Sequence, residues 1–96
     1  MVKENLFETK LELIHKLKKA EDQLTHAKNK LKNTENDLWL NTNFKKLGYT
    51  NKDTRKAYVE NEIRDLKLEK DLIHNDIVEL RRELDLCDDK IKLLSI

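Results

Sequence analysis

Apolar and small residues recur along two stretches of the chain at alternating steps of three and four, the spacing that keeps one narrow stripe of a helix turned toward a partner helix. The first stretch runs Leu6, Leu13, Leu17, Ala20, Leu24, Ala27, Leu31, Thr34 and Leu38, with Lys10 in its one gap. The second runs Val59, Ile63, Leu66, Ile73, Ile77, Leu80, Leu84, Cys87, Ile91 and Leu94, with Lys70 in the gap. Doubling the chain back so that opposed position numbers add to about 97 gives every seam residue of the first stretch a seam partner in the second. Leu38 then meets Val59, Leu31 meets Leu66, Leu17 meets Leu80, Lys10 meets Cys87 and Leu6 meets Ile91. Ala27 falls opposite Lys70, and so small a neighbour leaves room for the lysine stem to lie along the seam while its ammonium reaches water. The same pattern also permits pairing between chains. Pairing within one chain is favoured, because a parallel return would stretch the residues between the seams over about 50 Å. The spacing therefore predicts an all-α fold, an antiparallel two-helix coiled-coil hairpin forming one domain over residues 1–96, with helix 1 over about 4–41 and helix 2 over about 51–94.

Between the seams the pattern stops. Asn41, Thr42 and Asn43 are poor in a helix interior and good at its ends, so the first helix should close there. Phe44 to Leu47 suits one short helical turn, Gly48 is a natural left-handed stop, and Thr50 followed by Asp53 resembles a capping box. The tip is accordingly expected over about 42–50, a short helical or loop head, and the interval between the seams is far longer than the 2–8 residues that join most antiparallel helices. That interval also holds four of the five aromatic residues: Trp39, Phe44, Tyr49 and Tyr58. One explanation is structural: Trp39, Leu40, Phe44, Leu47, Tyr49, Ala57 and Tyr58 form a cluster that closes the end of the helix pair. The other is that the head binds something, because aromatics and Arg are the commonest anchors of interfaces.

Charge sharpens the choice. The whole chain carries only +1, but its three intervals differ: residues 1–38 sum to +1, residues 39–58 to +4 and residues 59–96 to −4. Lys45, Lys46, Lys52, Arg55 and Lys56 thus share an interval with the aromatics. The partner-binding set expected from sequence is Trp39, Phe44, Lys45, Lys46, Tyr49, Lys52, Arg55, Lys56 and Tyr58. A second set lies off the seams at the open end of the hairpin, Phe7, Leu11 and Ile14 on the first helix and Leu86 and Leu93 on the second. These are expected to form an oligomer interface, with a homodimer favoured.

The stretch DLWLNTNFKKLGYTNKDTRKAYV, Asp37 to Val59, resembles segments of small coiled-coil proteins from phages and prophages of Gram-positive bacteria. What the resemblance implies is a protein that binds host or phage replication, recombination or defence proteins.

Catalytic signals are missing from the sequence. Glu12 with His15 and Asp71 with His74 have the spacing of carboxylate-bridged metal bundles, but the heptad register turns these residues and His26 away from the seam, so no metal site and no cofactor are expected. No phosphate loop, nucleophile elbow or paired-cysteine motif occurs, and a two-helix hairpin offers little of the concave pocket that an enzyme needs. Cys87 has no partner for an internal disulfide, the start of the chain lacks a signal pattern, and no apolar run approaches the ~20 residues of a membrane span, so a cytoplasmic setting without membrane contact is expected, the host cytoplasm if the chain is phage-encoded. The function expected is a non-catalytic protein–protein interaction module. Two alternatives stay open: a nucleic-acid-binding accessory protein that uses the same basic head, and a purely structural coiled-coil spacer or assembly protein.

Overall fold

The computed structural model describes residues 2–95, with side chains from residue 5 onward. It is all-α: α1 spans Val2–Asn41, α2 spans Lys52–Glu62 and α3 spans Arg64–Leu94, and no strand occurs among the described residues. None of these helices is long and apolar enough to cross a membrane. The chain divides into two compact units, one made of residues 1–24 and 72–96 and the other of residues 25–71.

In the first unit the start of α1 pairs antiparallel with the end of α3. Its buried side chains are Leu13, Ala20, Ile77 and Cys87, all of them seam positions. The polar contacts between the two helices run in opposite directions along them, as antiparallel pairing requires. The Cys87 Sγ donates to the Leu6 carbonyl oxygen at 3.3 Å, Lys10 Nζ lies 2.7 Å from Asp88 Oδ1, and Arg81 Nη2 lies 3.3 Å from Glu21 Oε1. Lys10 is the one charged residue in this part of the α1 seam. Its ammonium reaches past Cys87 to the flanking Asp88, so the stem stays in the seam and the charge has a partner at the edge.

The second unit holds the turn. The end of α1 packs on α2 and the start of α3 through Leu31, Phe44, Val59 and Ile63, with Leu38, Tyr49, Tyr58 and Leu66 around them. Ala27 is buried and Lys70 half-buried, and the Lys70 Nζ lies 3.8 Å from Asp71 Oδ1. A feature absent from the sequence pattern is the break at Ile63, which separates α2 from α3 with φ −98° and ψ 5°. The hydrogen-bond ladder continues through it, from the Ile63 N–H to the Val59 oxygen at 3.1 Å and from the Lys67 N–H to the Ile63 oxygen at 3.0 Å. Ile63 itself is wholly buried, so the irregularity sits in the best-packed layer of the unit.

Candidate functional site

The head is built by hydrogen bonds that each follow from a local residue choice. After α1 ends at Asn41, the Asn43 Oδ1 accepts the Lys46 N–H at 3.1 Å and starts a single turn. That turn closes at Gly48, whose φ of +86° lies in the left-handed region that side-chain-bearing residues avoid. The Tyr49 N–H reaches the Phe44 oxygen at 2.9 Å and the Gly48 N–H reaches the Lys45 oxygen at 3.2 Å, the paired bonds of a Schellman stop. Helix α2 then starts from Asn51. Its Oδ1 accepts the Thr54 N–H at 2.9 Å, so the cap is Asn51 and the Thr50–Asp53 box expected from sequence does not provide it.

Inside this frame the aromatics pack on one another. Phe44 is the hub. Its ring centroid lies 5.6 Å from that of Trp39 and 6.0 Å from that of Tyr58, the latter edge-on, and Tyr58 in turn stacks at 5.2 Å on Tyr49. Arg55 places its guanidinium carbon 5.6 Å from the centre of the Phe44 ring and donates from Nε to the Tyr49 oxygen at 3.0 Å. It therefore ties the loop to α2 and holds the hub from one side.

The residues expected to bind a partner thus separate into two groups. Phe44 is buried, while Tyr49, Tyr58 and Arg55 are half-buried and occupied with one another. They are the core of the cap. Trp39, Lys45, Lys46, Lys52 and Lys56 are exposed. Among the described residues no acid pairs with Lys45, Lys46 or Lys52, and Lys56 lies 4.0 Å from Glu60 at the outer limit of an ion pair. The closing cluster is smaller than the sequence suggested, because Leu40, Leu47 and Ala57 stay outside it. Leu40 is 82% and Leu47 52% exposed, which makes Leu40 the most exposed large apolar side chain described. Composition alone could not tell these leucines from buried ones; the signal that finds them is their place off the heptad positions of α1 and in the closing turn.

The second expected set, Phe7, Leu11, Ile14, Leu86 and Leu93, is exposed throughout. All five lie in the first unit, but they do not share a face. Leu86 lines an open apolar cleft with Leu6, Thr9, Leu13, Glu83, Cys87 and Lys90, to which Phe7, Leu11 and Ile14 contribute nothing. Counting about 100° per residue from the seam places Phe7, Leu11 and Ile14 on the side of the Glu21–Arg81 pair, across the helix pair from that cleft. The five residues therefore form two stripes on opposite sides of the helix pair and not one continuous face.

His15, His26 and His74 are exposed, and no group of three or more His, Cys, Asp or Glu side chains gathers among the described residues. Chemically the head offers an apolar surface beside unpaired ammonium groups on a well-packed base. No protein-family model, curated protein or solved structure matches the chain, so the use of this site is argued from its own residues.

Proposed function

We propose that the chain is a non-catalytic protein-binding module whose head, residues 39–58, docks a partner protein. The observation that carries this reading is the surplus at the head. Phe44, Tyr49, Tyr58 and Arg55 are occupied with one another at the end of the helix pair, while Trp39 packs on Phe44 and is still 41% exposed, and the exposed Lys45, Lys46 and Lys52 have no acidic partner among the described residues. A base locked by ring contacts and a Schellman stop presents those groups with little ordering cost on binding. The resemblance of Asp37 to Val59 to phage and prophage coiled-coil proteins suggests the setting, in which a host or phage replication, recombination or defence protein is bound or inhibited. Affinity capture from a Gram-positive bacterial lysate tests it with a Lys45→Ala, Lys46→Ala, Lys52→Ala variant, which changes only exposed side chains outside the cap core. The variant should recover the wild type's specific partner about tenfold less efficiently. Equal recovery would favour a structural spacer that uses only its helical seams.

Self-association is a separate proposal for the first unit. Phe7, Leu11 and Ile14 stand at i, i+4 and i+7 on α1, an exposed ridge suited to a second copy of the same helix. Sedimentation equilibrium of Phe7→Glu with Leu11→Glu should give the monomer mass where the wild type gives a dimer. A wild type that is monomeric at high micromolar concentration would remove this interface.

A further inference from the structure

Resting on the head as a binding site, we infer that its partner is an acidic protein segment bearing aliphatic or aromatic side chains, and that Leu40 and Leu47 are its main anchors. Two observations point to this chemistry. The first is which apolar groups the head leaves outside. Tyr49 and Tyr58 stack on each other, Phe44 is buried beneath Trp39 and Tyr58, and the apolar side chains of the head more exposed than Trp39 are aliphatic, Leu40 and Leu47. Leucine gains from burial against apolar side chains and has no π face on which an unpaired base can stack. A head built to hold single-stranded nucleic acid would turn several rings outward, whereas here Trp39 alone of the four is exposed and both leucines are more exposed than it is.

The second observation is charge. Between residues 39 and 58 the chain carries +4, and the exposed Lys45, Lys46 and Lys52 have no acidic partner among the described residues. Lys45 and Lys46 immediately precede Leu47 in the closing turn. A ligand that covers Leu47 therefore lies within one turn of chain of both ammonium groups. Carboxylates flanking the ligand's apolar side chains satisfy them, whereas a neutral or basic segment would desolvate or repel them. The complement of the site is a segment in which acids alternate with large apolar residues.

Selection of a random linear-peptide display library on the full-length protein tests this, with a single-stranded DNA oligonucleotide as a second probe. Counter-selection uses Leu40→Glu with Leu47→Glu, two exposed positions whose replacement leaves the cap core untouched, and separately Lys45→Glu with Lys46→Glu. Helix content of each variant is checked by circular dichroism. The expected result is enrichment of peptides that combine Asp or Glu with Leu, Ile, Phe, Trp or Met. Their affinity should fall about tenfold or more with either variant and weaken with added salt. Head-dependent enrichment of neutral or basic peptides would overturn the acidic assignment and leave the head a binding site. Retention of the oligonucleotide without any peptide would overturn the protein class. Absence of any head-dependent binding would overturn both this inference and the function on which it rests.

Discussion

Replacing Phe44 with alanine should destabilise the protein by about 3–5 kcal/mol, the usual result of emptying a buried aromatic site. The ring is 8% exposed and is the common neighbour of Trp39, Tyr58 and the Arg55 guanidinium, so its removal deprives three side chains of a packing surface at once. A chain of this length is stable by roughly 5–14 kcal/mol, so the loss is a large part of the whole. Denaturant unfolding measures it. Trp39 is the only tryptophan, and its ring sits 5.6 Å from Phe44, so its emission reports the head directly and should shift in Phe44→Ala before any denaturant is added. A midpoint within experimental error of the wild type, with unchanged emission, would mean that the head is not held together by this ring.

The other large effect is expected at Ile77. This residue is 2% exposed in the seam of the first unit, where Leu13, Ala20 and Cys87 are also buried. Ile77→Asp places a carboxylate there without a partner, a change that costs about 3–5 kcal/mol when a buried charge is left uncompensated. Ile77→Val keeps the shape and should cost only about 0.5–1.5 kcal/mol. Because a two-helix pair has a thin core, loss of one layer should open the first unit locally instead of unfolding the molecule in a single step. Hydrogen exchange should then accelerate in residues 5–24 and 72–95 of Ile77→Asp, while the Leu31, Val59 and Ile63 amides of the second unit remain protected. Uniform acceleration in both units would show that they open together.

The seam was legible because its signal is long. Every α1 position assigned to it from Leu6 to Leu38 is buried or half-buried, Lys10 and Thr34 included, and on the second stretch only Leu94, in the last turn of α3, is exposed. A repeat sustained over many turns averages out single irregularities. The end of α1 at Asn41, the turn at Phe44 and the left-handed Gly48 were legible for a different reason, namely that each is fixed by residue chemistry within a few positions. The cap at Asn51 in place of Thr50 turned on which of two adjacent good caps accepts the bond, a choice that local sequence does not make. The break at Ile63 left no trace, because the heptad spacing runs through it and no Gly or Pro marks it.

The head was legible in composition and not in arrangement. Arg55 reads in sequence as one more basic residue, and only the fold shows its guanidinium over Phe44 and its Nε on the Tyr49 oxygen. Leu40 and Leu47 read as cluster members and are exposed, because Phe44 with the two tyrosines already fills the space at the end of the pair. The two apolar stripes of the first unit share an end, as the register implied. Their separation onto opposite faces follows from helical geometry once the Glu21–Arg81 pair and the Leu86 cleft fix which side is which.

Everything rests on the chain returning along itself within one molecule. Spin labels at Lys16→Cys and Glu83→Cys, in a Cys87→Ala background and diluted in unlabelled protein so that only pairs within a chain contribute, measure this directly. Both positions are exposed flanks of the seam in the first unit. The expected result is one narrow distance set by the 8–10 Å spacing of packed helices plus the label arms, about 15–25 Å in all. A distance near the ~100 Å of a continuous helix between those positions, or a short distance that vanishes on dilution, would contradict it.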